Sequence, residues 1–368
     1  MNETIQIQFF DSHSDNRQFK TLAELRRSIQ NHRSFLPTIE NPKSKIQNRM
    51  GIAVAALGLT FAWCGMAAGA QPDRIGIIYL GEVFVTVVDG LRAGLKELGL
   101  QEGKHVALDV QDLKGDAKAA ASVAEKFERD KVKLVFTNTQ PVTTAAMNAT
   151  KIVPIVFAIG TDPIAQGFIQ SFAQPGGRLT GIQYLARDLT AKRLEILKEF
   201  LPKLRQVVTF YDPGNSVPVE GAKLGREEAA RLKIKLVERH VKSISEINAA
   251  LDALKAGEFD AYLYMPDPMV VSQSQRVVDV ARARKLPSMF HDQVVVALGG
   301  LASYGQSYFE IGRRAAKYVQ RVLAGTPPAK LRVETIDDVE LAFNLITAKQ
   351  IGVTIPPNVL TRAQKVIR

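Results

Sequence analysis

Three Asp-Pro pairs stand where the sequence predicts strands to end: Asp162-Pro163, Asp212-Pro213 and Asp267-Pro268. In each pair the aspartate can cap a following helix and the proline can occupy the first helical position, which requires no ligand. The carboxyl ends of strands in an open α/β sheet are also where small molecules bind, because helix N-termini face the ligand there. The pairs therefore indicate either local capping or a binding site, and the residues alone leave both open.

Other polar and aromatic residues fall at the same predicted edge. Asn138 and Thr139 follow the third predicted strand, where they either cap a helix or bind a neutral or zwitterionic solute. Thr161 lies beside the first Asp-Pro pair and joins these candidates. Asp292 is a candidate partner for an ammonium group, because no helix with a clear apolar face is expected directly after it. The aromatic candidates for stacking on a ligand, each equally suited to the core, are Phe84, Tyr211 and Tyr304.

Signatures of common enzymes are absent from the sequence. No glycine-rich phosphate loop, Walker A sequence, H-E-x-x-H zinc motif or G-x-S-x-G nucleophile motif occurs. His105, His240 and His291 are too far apart in sequence to give a metal-ligand spacing. We therefore expect a protein that is not an enzyme and that carries neither a metal nor a cofactor.

The elements that would position these residues alternate between strand and helix. Short apolar runs such as residues 75–80 are typical of buried strands, and segments with helical periodicity lie between them. Such alternation predicts parallel sheets covered by helices, and it starts again after residue 180. Two α/β units follow, with a cleft between the carboxyl ends of both sheets. Four later elements are also expected: helices over 270–284 and 308–323, and strands over 331–333 and 339–343.

Residues 50–70 have the composition of a bacterial export signal. Basic residues precede an apolar run over 50–67, and small residues then form an A-x-A cleavage site ending at Ala70. We expect cleavage after Ala70 and a periplasmic mature protein. A retained membrane anchor is the alternative, because about 20 apolar residues can span a bilayer. Residues 1–49 are expected to be a disordered extension or to precede the true translation start.

Composition excludes several classes of protein. The net charge of +11 is dispersed along the chain without a basic block, so nucleic-acid binding is not indicated. Cys64 is the only cysteine and lies in the predicted signal, so the mature chain forms no disulfide. The remaining length suffices for a core that needs no covalent staple. We expect a monomer.

Ordered motifs along the chain carry a family resemblance. The motifs lie at residues 90–104 (GLRAGLKELGLQEGK), 152–158, 162–163, 174–181, 192–198, 266–268, 299–305 and 344–349. Together they resemble the solute-binding subunits of ABC importers, in the family whose better-understood members look like binders of aromatic or branched amino acids. The resemblance runs from about residue 74 to residue 367, and it is specific for the family rather than for the ligand.

The resemblance implies a fold of the type I periplasmic binding proteins. Two doubly wound parallel-sheet lobes would be joined by a three-segment hinge. The implied crossovers lie near residues 180–185, 300–305 and 335–343. The implied organisation is lobe 1 at 73–180 plus 305–330, lobe 2 at 184–300, and a hinge return with a C-terminal tail at 331–368.

The resemblance also implies a function. An extracytoplasmic receptor would capture a small, amino-acid-like solute by hinge closure and deliver it to ABC permease subunits in the inner membrane. An extracytoplasmic ligand sensor for a membrane signalling partner is the alternative. Tyr304 would lie near the hinge. The implied ligand contacts are Asp162, Asn138 and Thr139 on one lobe and Asn215, Asp267 and Asp292 on the other.

Overall fold

A computed structural model describes residues 71–368 of the chain. The predicted extension (1–49) and the predicted export signal (50–70), including Cys64, lie outside the described residues. Within 71–368 none of the helices combines the length and the apolar character that crossing a membrane requires.

The described chain forms thirteen strands, numbered here in chain order. They are β1 (Asp73–Tyr79), β2 (Val106–Asp112), β3 (Leu134–Asn138), β4 (Ile155–Ile159), β5 (Leu179–Tyr184), β6 (Gln206–Tyr211), β7 (Lys235–His240), β8 (Ala261–Leu263), β9 (Ser288–Phe290), β10 (Ala302–Gly305), β11 (Glu334–Ile336), β12 (Glu340–Asn344) and β13 (Lys365–Ile367).

Twelve α-helices accompany these strands in the described part of the chain. They are α1 (Val85–Glu97), α2 (Ala120–Arg129), α3 (Gln140–Ala149), α4 (Thr190–Phe200), α5 (Ser216–Arg231), α6 (Ile244–Asp252), α7 (Pro268–Val271), α8 (Ser274–Ala283), α9 (Gln293–Ala297), α10 (Tyr308–Leu323), α11 (Leu345–Ile351) and α12 (Pro357–Leu360). Short 3-10 turns occur at Glu82–Phe84, Ala117–Ala119 and Pro328–Lys330.

The strands build two sheets, one in each lobe. Their orders are β11-β5-β4-β3-β1-β2 in lobe 1 and β13-β12-β10-β9-β8-β6-β7 in lobe 2. Strand pairs are parallel apart from the antiparallel β10–β12 pair. The runs β2-β1-β3-β4-β5 and β7-β6-β8-β9-β10 have the same relative order, so the lobes repeat one topology. The predicted fold class, two doubly wound α/β lobes, is confirmed.

The chain passes between the lobes three times. It leaves lobe 1 after β5 and enters α4, it returns between β10 and α10, and it crosses again between β11 and β12. Helix α10 therefore belongs to lobe 1, where it packs closely along α1, although it follows a strand of lobe 2. β11 pairs with β5 at the edge of the lobe 1 sheet. The lobes are thus held together by three neighbouring segments, which is the arrangement of a hinge.

Three glycines let α1 and α10 touch along their backbones. A methyl group added to Gly312 would meet the carbonyl oxygen of Val87 at 1.8 Å, and one on Gly90 would meet that of Phe309 at 1.9 Å. Gly94 faces the carbonyl of Arg313 in the same way, at 2.3 Å. Backbone atoms cannot move aside as a flexible side chain can, so glycine is required at this crossing.

We expect Gly312→Ala to destabilise the protein by about 1–3 kcal/mol, because the overpacking outweighs the roughly 1 kcal/mol that alanine gains over glycine in a helix. Equilibrium urea unfolding would measure the change. Gly177→Ala is the matched control, since Gly177 is exposed and a methyl group there has no neighbour within 4 Å. Equal stability of the two variants would contradict the packing argument.

Two predicted elements are wrong in position. The strand expected over 331–333 lies at β11 instead. Leu331 and Val333 are buried in the core, but they lie in an irregular segment before the strand. Their backbones are held by Thr180 and Phe172 through hydrogen bonds of 2.7 and 2.8 Å. The helix expected over 270–284 is interrupted between α7 and α8, where Ser272 bonds its hydroxyl to the carbonyl of Met269 and so competes with helical bonding.

Candidate functional site

A cavity lies between the lobes at the carboxyl ends of both sheets. Its empty volume, including space open to solvent, is about 330 Å³. In each lobe the cavity adjoins the point where the strand order reverses, between β1 and β3 and between β6 and β8. Its lining comes from both lobes: Phe84, Thr139, Gln140, Pro141, Gly160, Tyr184, Ala186, Val217, Tyr264, Pro266, Pro268 and Tyr308.

Lobe 1 brings two unpartnered polar side chains to this place. Asn138 ends β3 with 0 % of its surface exposed, and neither atom of its side-chain amide has a hydrogen-bond partner in the described chain. Thr139 is 2 % exposed, lines the cavity, and also has an unpartnered hydroxyl. Buried polar groups are normally satisfied, so these two side chains are candidates for hydrogen bonds to a ligand.

Thr139 also adopts an unusual backbone conformation. Its φ is +77°, which is uncommon for a β-branched residue and costs on the order of 1–3 kcal/mol. The residue is held there by a 3.0 Å bond from its N–H to the carbonyl of Ala158 and by Thr143, whose N–H and hydroxyl both bond to the Thr139 carbonyl. The strain places the hydroxyl at the start of α3, beside the cavity.

Aromatic rings from both lobes form one continuous cluster. Tyr308 lies 5.1 Å from Phe84, 6.1 Å from Tyr184 and 5.0 Å from His291, measured between ring centroids. His291 packs in turn against Tyr264, with a centroid distance of 4.1 Å. Four of these rings line the cavity, and His291 lies between two of them. The cluster therefore gives the cavity a largely aromatic wall.

Arg193 lies behind this cluster and is 1 % exposed. It donates from Nε to the carbonyl of Tyr304 at 2.7 Å and from Nη1 to the carbonyl of Ala186 at 3.1 Å, and its guanidinium lies 5.3 Å from the Tyr264 ring centre. No carboxylate of the described residues lies within 4 Å of it. Burial lowers the pKa of Arg193 to about 10, so the side chain stays charged at neutral pH.

His291 is neutral beside this cation. Burial, followed by the charge of Arg193, lowers the pKa of the imidazole well below its ordinary value. Both ring nitrogens lack partners among the described residues, as does Nε2 of Gln306 nearby in sequence. Arg193 and His291 both contact the ring of Tyr264, so a positive charge and an uncharged, unsatisfied imidazole lie next to one wall of the cavity.

The prediction that no helix directly follows Asp292 is wrong, because Asp292 caps the short helix α9. Its carboxylate accepts N–H groups from Val294 at 2.6 Å and from Tyr308 at 2.7 Å, which stabilises the return of the chain into α10. Asp267 likewise caps α7 and accepts N–H groups from Asp212, Met269 and Val270. Both carboxylates are nearly fully buried and satisfied by the backbone.

The remaining predicted site residues fall into two groups. Phe84 lines the cavity, and Thr161 is buried in the loop that follows β4. Asp162 and Asn215 accept backbone N–H groups two residues further on, at 2.8 and 3.1 Å. Tyr304 supplies its carbonyl to Arg193 at the second crossover. Asp162, Asn215 and Tyr304 are not among the residues that line the cavity.

Tyr211 is placed elsewhere. Its hydroxyl donates to Glu238 at 2.5 Å and lies 3.0 Å from His240, and Arg226 pairs with the same glutamate. This network lies on β6 and β7 of lobe 2, and Tyr211 is not among the residues that line the cavity.

Sequence reasoning missed the aromatic cluster and Arg193. Tyr184, Tyr264 and Tyr308 are distant in sequence, and each fits the apolar pattern of its own element. A signal existed only for Arg193, a charge on the inward face of α4 between buried Thr190 and Leu197. Within residues 71–368 no group of His, Cys, Asp and Glu side chains forms a candidate metal site.

Two lobes of this topology with a cavity between them define a type I periplasmic-binding-protein fold. The family described as ABC transporter substrate binding protein matches residues 77–367, and the chain belongs to that family. The predicted resemblance is thereby confirmed.

Relatives agree with this assignment. A "Tyrosine-binding protein" of Clostridioides difficile (strain R20291) is 31% identical over 265 residues, which is 71% of this chain and 74% of that protein. The ABC domain from Streptococcus pneumonia in complex with L-Trp is 24% identical, with a TM-score of 0.72 over 81% of this chain and 100% of that one. A ligand-free, open substrate binding protein with adhesive properties from Clostridium difficile is 27% identical, with a TM-score of 0.56 over 80% of this chain and 99% of that one.

The buried aspartates give a pH-dependent prediction. Burial raises the pKa of Asp292 to about 6, above its unfolded value of about 3.8, so its contribution to stability is greatest below pH 4 and is lost as the pH rises to 6. Asp292→Asn removes this titration. The free-energy difference between wild type and variant should therefore shift by up to about 3 kcal/mol in favour of the variant between pH 4 and pH 6.

Urea unfolding of both proteins at a series of pH values would measure that shift. Asp188→Asn is a suitable control, because Asp188 is a partly exposed residue on the first crossover. A wild-type-to-variant difference that stays constant across the pH range would show that folding does not shift the pKa of Asp292.

Proposed function

We propose that this protein is the extracytoplasmic solute-binding component of an ABC importer, which captures a small, amino-acid-like solute between its lobes by hinge closure. The observation that carries the proposal is the cavity itself, whose lining comes from both lobes and from the first crossover. A ligand that touches both lobes binds the closed state more tightly than the open state, and that difference is the free energy that drives closure.

Contacts outside the cavity support a closed arrangement. Ser272 of lobe 2 lies against two loop glycines of lobe 1. A methyl group added to Gly81 would lie 2.7 Å from Cβ of Ser272, and one added to Gly115 would lie 2.5 Å from its Oγ. Ile244, also of lobe 2, would lie 2.9 Å from the methyl group on Gly115. The lower TM-score toward the open relative, despite its higher sequence identity, agrees with lobes that are drawn together here.

The relatives named above support an amino-acid-like solute, since one is a tyrosine-binding protein and another holds L-Trp. The aromatic walls of the cavity suit the ring of an aromatic amino acid. The protein would act without catalysis, as a periplasmic monomer released by signal cleavage after Ala70, and would pass its solute to permease subunits of the inner membrane. Membership of the substrate-binding family supports the extracytoplasmic location and the role in solute binding.

Isothermal calorimetry of the full chain against amino-acid pools, together with small-angle X-ray scattering, tests the proposal. We expect one pool to release heat and to reduce the radius of gyration, because closure brings the lobes together. Absence of heat with every pool, combined with an unchanged radius of gyration, would argue against a solute-binding clamp.

Ser272→Phe should weaken the binding of the solute found in this way by at least about tenfold, or 1.4 kcal/mol, because a bulky ring between Ser272 and Gly81 opposes closure without touching the cavity. The same two methods provide the measurement. Gln275→Phe is the matched control, because Gln275 is exposed on the adjoining helix α8. If both variants bind as the wild type does, the contact at Ser272 is not part of the closed state.

A further inference from the structure

We propose that Asp112 is a positioning residue for hinge closure. It holds two glycine loops of lobe 1, around Gly81 and Gly115, as one socket for Ser272 of lobe 2, and the fit of this socket sets how tightly the lobes close on any solute. The inference rests on the proposed function and deepens it, because it assigns a residue that sets affinity from outside the cavity. Asp112, Gly81, Gly115 and Ser272 are not among the residues that line the cavity.

Ser272 is the lobe 2 side of this contact. It lies between α7 and α8, where the helix is interrupted. Its hydroxyl donates to the carbonyl of Met269 at 2.7 Å and accepts from Nε2 of Gln273 at 3.2 Å, so both of these bonds stay within lobe 2. Its contact with lobe 1 is therefore one of shape, and it depends on where the two glycine loops stand.

Gly81 and Gly115 form the socket, and both are buried. Their φ angles are +93° and +92°, in the left-handed region where a side chain is strained. Ser272 also occupies the space that a side chain at either position would need. The backbone conformation and the approach of lobe 2 thus require glycine at the same two positions, although these come from different loops.

One carboxylate oxygen joins the two loops. Asp112 ends β2, and its Oδ1 accepts the N–H of Gly81 and the N–H of Lys114, each at 2.8 Å. Lys114 precedes Gly115 and has a φ of +50°, which is uncommon for a residue other than glycine. The carboxylate therefore fixes the spacing of the two glycines and supports the backbone conformation that brings Gly115 to Ser272.

A preformed socket favours the closed state. Without the Asp112 carboxylate two N–H groups lose their acceptor, and the loops must be ordered each time the lobes meet. The fraction of the protein that is competent to close then falls, and the apparent affinity falls in the same proportion. Because the socket does not line the cavity, this proportion is the same for every solute that the cavity accepts.

Calorimetry of the full chain with L-tyrosine and with L-tryptophan tests this inference; the two amino acids are chosen because of the relatives named above. Asp112→Ala should raise the Kd of both amino acids about tenfold and by the same factor, because the loss lies in closure. Asp112→Asn should bind within about threefold of the wild type, since asparagine keeps an Oδ1 that accepts both N–H groups.

Asp116→Ala is the matched control in the same loop. Asp116 is exposed and accepts the N–H of Lys118 at 3.0 Å, so its loss should leave both Kd values unchanged. Wild-type affinity of Asp112→Ala would overturn the inference. Factors that differ by more than about threefold between the two amino acids would also overturn it, because Asp112 would then act on the cavity wall through Phe84 rather than on closure.

Hydrogen exchange followed by mass spectrometry measures the socket itself. In the free protein, Asp112→Ala should speed exchange in residues 80–84 and 113–116, because both loops lose their shared acceptor. In the wild type, saturation with the amino acid that binds should slow exchange in both loops and in residues 269–274 of lobe 2 together. Unchanged exchange of the loops in the variant, or of all three segments on saturation, would contradict the inference.

The outcomes also separate this inference from the proposed function. If the wild type binds neither amino acid but binds another solute from the pools, the variants are compared with that solute, since the expected factor does not depend on the solute. If the wild type binds and Asp112→Ala binds equally well, the clamp stands and the inference is wrong. If no solute of any class binds, the proposed function fails and the inference fails with it.

Discussion

The guanidinium of Arg193 holds two of the three crossovers at one point. Its donors bond to Ala186 on the first crossover and to Tyr304 at the end of β10, and its face lies over the ring of Tyr264. Moving a charge out of water is costly, and here two carbonyls and a ring provide partial compensation. Because one residue joins the crossovers and supports the aromatic wall, the position of the hinge and the shape of the cavity are set by the same contacts.

The repeated strand order explains why the polar residues converge. In both lobes the order reverses beside the second strand of the run, and the loops on either side of that reversal open toward the other lobe. Aspartates at the strand ends cap helices, as Asp267 does for α7 after β8 and Asp292 does for α9 after β9. Unpaired hydrogen-bonding groups are left instead on Asn138, Thr139 and His291.

Much of the architecture was predictable, since it depends on local patterns. α10 has the predicted bounds because periodic apolar residues and the Ser307 cap define it along the chain. The site was less predictable, because its aromatic cluster joins Phe84, Tyr184, Tyr264, His291 and Tyr308, which come from separate elements along the chain. The Asp-Pro pairs illustrate the limit: capping and ligand binding favour the same residue at the same strand end, and only the donors around Asp267 separate the two.

Lobe 1 is not a contiguous piece of the polypeptide. During synthesis, β1 to β5 emerge first, but α10 and β11, which cover α1 and extend the sheet, follow only after β6 to β10 have been made. The apolar face of α1, with Val87 and Leu91, stays uncovered until then. Completing the first lobe requires closing a loop as long as the second, a step that long sequence separation makes slow. The segments of the two lobes thus alternate along the chain, since α10 and β11 of lobe 1 precede β12 and β13 of lobe 2. A single truncation therefore releases neither lobe as an intact fragment.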